Sequence, residues 1–228
     1  MQICAFLVAF IGLGGASAGD QVGAGPEPSA TPISWEFEFK YLAPRRIEVQ
    51  IAGQTEVYWY LVYTVTNTSA ATQRFFPTMQ LVTEELKVID TDSGISPTVF
   101  AAIKERHKLT HPYLVHPTEA IGDLASGSDN ARESVAIWRA TDVAVNNFTI
   151  FAAGLSGESK LIKNPGFDKT KPETQTVTDS SGFQREITVN PRYFTLRKTL
   201  ELKYRIPGSQ EARSSAEPVL AGSRWIMR

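Results

Sequence analysis

Apolar side chains recur at every second position along most of this chain, which is the period of a β-strand. The longest such segment is residues 57–67, VYWYLVYTVTN, whose two faces carry Trp59 and Leu61 on one side and Tyr58 and Tyr60 on the other. At about 3.3 Å per residue it would span roughly 36 Å. Because both faces are apolar, we expect a central strand that is covered on both sides.

Shorter alternating segments separated by turn residues follow the same pattern. Phe75 and Phe76 are expected to anchor the core. In the predicted strand 81–89 the apolar pattern is irregular at Glu84-Glu85, which predicts a bulge there. The predicted strands are residues 34–41, 47–51, 57–67, 81–89, 135–138, 148–153, 174–178, 183–189, 193–206 and 220–227. The pattern predicts an all-β fold, an antiparallel immunoglobulin-like β-sandwich of about nine to ten strands.

A helical insert is predicted at about residues 95–126. Ser96 before Pro97 is a helix start, and Val99 and Ile103 then recur at helical spacing. A second short helix is expected to begin at Pro117. We expect the two helices to cover the Tyr58 and Tyr60 face of the central strand, or to close one end of the sandwich.

The first residues have the pattern of a signal peptide. An apolar run over residues 3–13 is followed by Ala16-Ser17-Ala18, a typical cleavage site, which predicts a signal peptide at residues 1–18 and an exported, periplasmic or extracellular protein. Residues 19–32 are rich in Gly, Pro, Ala and Ser and predict a disordered tether. Residues 33–228 are then a single domain. The chain's one cysteine, Cys4, lies inside the leader, and the mature chain has no predicted transmembrane segment.

Charge and motifs exclude several functions. The chain has 23 basic and 24 acidic residues, a balance that argues against nucleic-acid binding. Phosphate-binding and dinucleotide-binding glycine motifs do not occur in the sequence, Gly154-Leu155-Ser156-Gly157 does not match a nucleophile elbow, and residues 90–94 do not match a calcium loop. We therefore expect no cofactor and no enzymatic activity.

All three histidines, His107, His111 and His116, fall within one stretch of ten residues. Three imidazoles are a sufficient ligand set for zinc or copper, so a metal-binding module is one alternative function. The other interpretation is a loop that contains histidines, with His107 at a helix end where a cation is favoured.

Tyr58 and Tyr60 are candidates for a partner-binding platform, because exposed tyrosine is enriched at interfaces. Burial of the two rings by the helical insert is the alternative. A carbohydrate-binding protein that uses Tyr58 and Trp138 is a further alternative.

Four segments, YLVYTVTNTS (60–69), LVTEELKVID (81–90), RESVAIW (132–138) and FTIFAAGLSG (148–157), resemble bacterial exported immunoglobulin-like or telokin-like sandwiches over about half of the chain. The whole chain also resembles an exported bacterial family without an assigned activity. The resemblance implies a sandwich fold and the bacterial envelope, and it implies no site. The overall expectation is a non-enzymatic protein that binds another envelope or extracellular protein, or is part of an assembly.

Overall fold

The computed structural model describes residues 25–92, 94–140, 145–213 and 215–228. The predicted signal peptide (1–18) and residues 19–24 of the predicted tether lie outside the described residues. Among the described residues, no helix has the length and apolarity needed to span a bilayer.

The described chain is mostly β-structure, which confirms the all-β prediction. Its strands are β1 (Phe37–Tyr41), β2 (Arg45–Ile51), β3 (Gln54–Asn67), β4 (Gln73–Phe75), β5 (Thr78–Thr83), β6 (Val88–Asp90), β7 (Gly122–Leu124), β8 (Arg132–Arg139), β9 (Asn147–Ala153), β10 (Ser159–Lys163), β11 (Thr174–Thr178), β12 (Gln184–Thr188), β13 (Tyr193–Arg205) and β14 (Val219–Met227). Its helices are α1 (Pro97–His107), α2 (Pro117–Ala120) and α3 (Gln210–Arg213), with one 3-10 turn at Ser128–Asn130. All ladders between these strands are antiparallel.

The first sheet is built around β3, as the apolar pattern predicted. β8 pairs along one edge of β3, and β2 and β1 pair one after the other along its second edge. Tyr41 lies opposite Tyr63 and Arg45 lies opposite Tyr60. β1 and β2 therefore form one interrupted edge strand beside β3. Pro44 lies in the interruption, where it removes a backbone donor without breaking the continuous ladder of β3.

The second sheet repeats this plan around β13. β14 pairs along one edge of β13, β9 and β10 pair in succession along the other, and β5 and β6 extend the sheet beyond β9. The turn between β9 and β10 requires glycine at Gly154, which has φ of 82° and approaches the Phe76 carbonyl. An added Cβ would lie 2.2 Å from that oxygen.

The main core lies between the two sheets. Ring contacts run from one sheet to the other, with Trp59 packed 5.2 Å from Phe148, which stacks 5.4 Å from Tyr204. The principal members of this core are Trp59, Leu61, Tyr63 and Val65 from β3, Met79 and Leu81 from β5, Phe148, Ile150 and Ala152 from β9, and Leu200, Leu202 and Tyr204 from β13.

A second core covers the opposite face of β3. Val99 and Ile103 of α1 are fully buried against Tyr58, Tyr60 and neighbouring apolar residues of β2 and β8. Helix α1 begins at Pro97 with Ser96 as its N-cap, as predicted, and α2 begins at Pro117. The prediction that the helical insert covers this face of the central strand is therefore confirmed, and β3 lies between two cores.

The structure corrects several local predictions. Residues 84–87 form a tight turn between β5 and β6 instead of a bulge, and Leu86 takes a positive φ of 62° in that turn. Phe75 is fully buried, but Phe76 is 53% exposed. Residues 25–32, predicted as tether, are partly fixed to the domain, because Ser29 and Glu27 form hydrogen bonds with Glu158 and Lys160.

One segment projects from the second sheet as a two-stranded ribbon, here called the β-arm and defined as residues 159–197. It comprises β10, β11, β12 and the first five residues of β13. β11 and β12 form the hairpin predicted around residues 179–182, and within the described chain they pair only with each other. Asn190 is the one buried residue of the β-arm.

Candidate functional site

The histidines do not converge. His107 is buried at the end of α1, and its ring meets His111 edge-on at 5.7 Å. His116 instead caps α2, where its Nδ1 accepts from the Thr118 backbone at 3.3 Å, and its ring packs on Phe100 at 5.0 Å. Among the described residues, no three His, Cys, Asp or Glu side chains meet in a metal-binding arrangement. The three-histidine metal site considered as an alternative is therefore not formed.

His107 has a defined hydrogen-bonding role in the second core. Its Nε2 lies 3.1 Å from the Tyr60 hydroxyl, which accepts from Nη1 of Arg106 at 3.3 Å. The Tyr60 hydroxyl therefore links the His107 imidazole to the Arg106 guanidinium in one hydrogen-bonded chain. Burial lowers the pKa of His107, and the neighbouring His111, Arg45 and Arg106 lower it further. These surroundings favour the neutral form of the imidazole over its charged form.

The two candidate tyrosines of β3 are not on the surface. Tyr58 and Tyr60 are each 1% exposed, because α1 packs over them. The Tyr58 hydroxyl donates to Glu56, and this hydrogen bond, together with one from Arg139, lowers the pKa of the Glu56 carboxyl. The structure therefore corrects the prediction of a partner-binding platform at Tyr58 and Tyr60. Trp138 is also fully buried, so it cannot stack on a carbohydrate.

A buried ion cluster joins the start of the described chain to β13. The ammonium of Lys198 lies 2.7 Å from Glu36 and 3.6 Å from Glu158, and its side chain is 4% exposed. The Ser29 backbone N–H donates to Glu158 at 2.8 Å and, as the largest influence, lowers the pKa of that carboxyl. The Lys198 ammonium also lies 5.1 Å from the centre of the Trp225 ring. Both carboxylates are engaged by one cation, an arrangement that fastens residues 25–36 to the second sheet.

The β-arm is a surface that carries several exposed apolar side chains and has no hydrophobic core beneath it. Its exposed apolar residues are Leu161 (70%), Phe183 (73%), Val189 (46%), Tyr193 (51%) and Phe194 (42%). An isolated two-stranded ribbon is only marginally stable in water. Exposed aromatic side chains on such a ribbon are typical of a surface that is completed by a partner.

The two strands of the β-arm are tied together at its middle. The Asn164 N–H donates to the Arg192 carbonyl at 2.9 Å, which continues the ladder beyond β10. Asn190 Nδ2 donates to the carbonyls of Asp168 and Lys171 at 2.8 and 3.1 Å, and so pins the loop that interrupts the first strand. These bonds give the β-arm a defined shape without a hydrophobic core.

The charge of the β-arm differs from that of the whole chain. Residues 159–197 contain seven lysine and arginine residues and four aspartate and glutamate residues, whereas the whole chain has a net charge of −1. The excess of positive charge lies beside exposed aromatic and aliphatic groups. Such a surface attracts an acidic partner at long range and can bury apolar area after contact.

Sequence reasoning assigned neither the β-arm surface nor the ion cluster as sites. The sequence does indicate that Lys198 is buried, since it occupies the alternate position between Leu196 and Leu200 on the apolar face of β13. The signal for the β-arm is weaker, because the hairpin was predicted but β10 has only two apolar residues, Leu161 and Ile162. Comparison of the chain with models of known protein families, with curated proteins and with solved structures finds no match.

Proposed function

We propose that this chain is an exported, non-enzymatic protein of the bacterial envelope or extracellular space. In this proposal it is an immunoglobulin-like antiparallel sandwich that binds an acidic surface of another protein through the β-arm. The observation that carries the proposal is the exposure of Phe183, Tyr193 and Phe194 on a positively charged ribbon that has no core of its own. Export is supported by the apolar leader and the Ala16-Ser17-Ala18 motif.

A protein partner fits this surface better than a small ligand does. Small-molecule sites are concave and enclose their ligand, whereas the β-arm offers side chains on an open ribbon. Aromatic and arginine side chains are enriched at the centres of protein interfaces. Arg185 and Phe183 lie together at the distal hairpin, while Tyr193 and Lys163 are paired across the proximal ribbon. Both halves of the β-arm therefore combine an aromatic ring with a cation.

The test is site-specific photocrosslinking in the native host. A benzophenone amino acid is placed at Phe183 or at Tyr193, both on the β-arm, and at Leu109 as the control. Leu109 is 90% exposed and belongs to the loop between α1 and α2, not to the β-arm. We expect the two β-arm positions to crosslink to the same protein, and Leu109 to give no crosslink to it. Equal crosslinking from all three positions would contradict the proposal.

The partner identified in this way is then purified and its affinity measured in solution. Lys163→Glu and Arg185→Glu each reverse one charge on the β-arm, and Lys87→Glu makes the same change in the β5–β6 turn. We expect the β-arm variants to weaken binding about tenfold each at low salt, with a smaller loss at 0.5 M salt because ions screen the attraction. Lys87→Glu should bind like the original chain. Unchanged affinity in both β-arm variants would overturn the assignment of the surface.

A further inference from the structure

A groove lined by three arginines lies where β2 meets the end of α1. Its cavity has a volume of about 510 Å³, within the usual range for a small-ligand site. Arg45 and Arg46 come from the start of β2, Arg106 from the last turn of α1, and Trp59 from β3. Residues 215–218, which precede β14, form the remaining wall together with Glu48 of β2.

Two of the guanidinium groups are held in place by the fold. Nη1 of Arg106 donates to the Arg46 carbonyl at 2.9 Å and to the Tyr60 hydroxyl at 3.3 Å. The guanidinium of Arg46 lies 5.2 Å from the centre of the Trp59 ring and donates to the Arg213 carbonyl at 3.3 Å. Because their orientation is set by backbone and ring contacts, these side chains lose little entropy when an anion binds.

The carboxylates in the groove compensate the arginines only in part. Glu217 lies 4.0 Å from Arg45, and the two side chains are 77% and 47% exposed, so this ion pair is weak. Within the described part of the chain, Arg106 forms no ion pair with a carboxylate. Three guanidinium groups therefore face two carboxylates, Glu48 and Glu217, around one cavity.

The environment of the groove changes the pKa values of two nearby groups, His107 and Arg46. Arg45 and Arg106 both contribute to lowering the pKa of buried His107, after burial itself and His111. Burial also lowers the pKa of the Arg46 guanidinium, which is only partly hydrated. A cation that has lost part of its water shell interacts more strongly with an anion than a fully hydrated one does.

We propose that this groove binds the phosphate or carboxylate group of a small anionic ligand. Paired guanidinium donors match the geometry of both oxyanions. The groove shares no lining residue with the β-arm, so the inference does not depend on the proposed protein partner.

The test titrates the purified chain with inorganic phosphate, pyrophosphate and citrate by calorimetry, and compares the original chain with Arg45→Gln. Arg45 is chosen because its side chain is half exposed and its only ion pair within the described residues is the weak one with Glu217. Arg185→Gln, which removes the same charge from the β-arm, is the matched control. We expect one-to-one binding of at least one probe, weakened on the order of tenfold by Arg45→Gln and unchanged by Arg185→Gln.

The second measurement follows the His107 imidazole by NMR as a function of pH. An anion in the groove offsets the charges of Arg45 and Arg106, so the saturating ligand should raise the pKa of His107. Preference for pyrophosphate over citrate would identify a phosphate ligand, and the reverse order a polycarboxylate. The inference is overturned if none of the three probes binds at millimolar concentration, or if Arg45→Gln binds as tightly as Arg185→Gln.

Discussion

The ammonium of Lys198 lies 2.7 Å from a carboxylate oxygen of Glu36, in a position of β13 that faces the core. Glu158 approaches the same ammonium from the β9–β10 connection at 3.6 Å, with its side chain 1% exposed. One cation thus lies between two carboxylates, of which Glu158 is removed from water and Glu36 is 23% exposed. Removal of the cation would leave the buried Glu158 carboxylate without its ion pair to Lys198.

We therefore expect Lys198→Met to lower the free energy of unfolding by about 3 kcal/mol. Urea denaturation monitored by tryptophan fluorescence measures the change. Lys203→Met is the control, since Lys203 is half exposed and its pairing with Glu201 should be worth less than about 1 kcal/mol. Adding Glu158→Gln to Lys198→Met should restore part of the loss. A similar effect of both lysine substitutions would refute the role assigned to the cluster.

Two glycines with the same backbone conformation should respond very differently to alanine. Gly154 and Gly182 have φ of 82° and 83°, but a Cβ at Gly154 would meet the Phe76 carbonyl, whereas at Gly182 it would meet open space. Gly182→Ala should cost about 1 kcal/mol of backbone strain. Gly154→Ala should cost at least about 2 kcal/mol more, because a backbone oxygen must move. Thermal unfolding of the two variants gives the comparison, and equal losses would contradict it.

Asp92 should make the stability of the fold depend on pH. Burial raises the pKa of this carboxyl to about 6, so the folded protein binds the proton more tightly than the unfolded chain does. The stabilising contribution is complete below the ordinary pKa near 3.8 and is lost as the pH rises through 6. Asp92→Asn cannot ionise, and asparagine tolerates the positive φ of 59° at this position.

We expect Asp92→Asn to be more stable than the original chain by about 2 kcal/mol at pH 8, with the difference disappearing near pH 4. Thermal unfolding at intervals between pH 4 and pH 8 measures it. His107, whose pKa is lowered, destabilises both proteins equally as the pH falls below its ordinary value, so it cancels in the difference. A difference that does not vary with pH would show that the Asp92 carboxyl does not titrate differently in the folded state.

The cover provided by α1 can be tested by truncating one buried side chain. Ile103 is fully buried against β3, and Ile103→Ala should lower the free energy of unfolding by about 3 kcal/mol. Leu109→Ala, two residues beyond the end of α1 and 90% exposed, should change it by less than about 0.5 kcal/mol. Urea denaturation separates the two outcomes, and a small effect at Ile103 would mean that the helix does not seal the second core.

The sequence predicts those parts of the fold that local chemistry determines. The apolar pattern on both faces of residues 57–67 correctly predicts a strand covered on both sides, and Ser96 with Pro97 correctly predicts the start of α1. The hairpin around residues 179–182 follows from its turn residues in the same way. The β5–β6 turn does not follow from the sequence. Leu86 adopts a positive φ in it, whereas glycine and asparagine are the residues that indicate such a turn.

The candidate sites depend on contacts that local patterns do not contain. His107 and His116 are nine residues apart, yet one supports Tyr60 and the other caps α2, because the chain turns between them. Arg45 and Arg106 come together only because α1 packs on β2. Spacing along the chain identified the histidines as a group, but the packing of the helical insert determines which side chains share a site.

The hydrogen bond between Asn164 and Arg192 closes the base of residues 165–191, which makes those residues exchangeable. The two residues are joined by a backbone hydrogen bond of 2.9 Å, so the chain leaves β10 and returns to β13 at nearly the same point. A sequence grafted between them would need only to bring its ends together, and neither core would be disturbed. The connectivity is therefore that of a display scaffold, in which residues 165–191 can be replaced or diversified while the sheets that carry them stay the same.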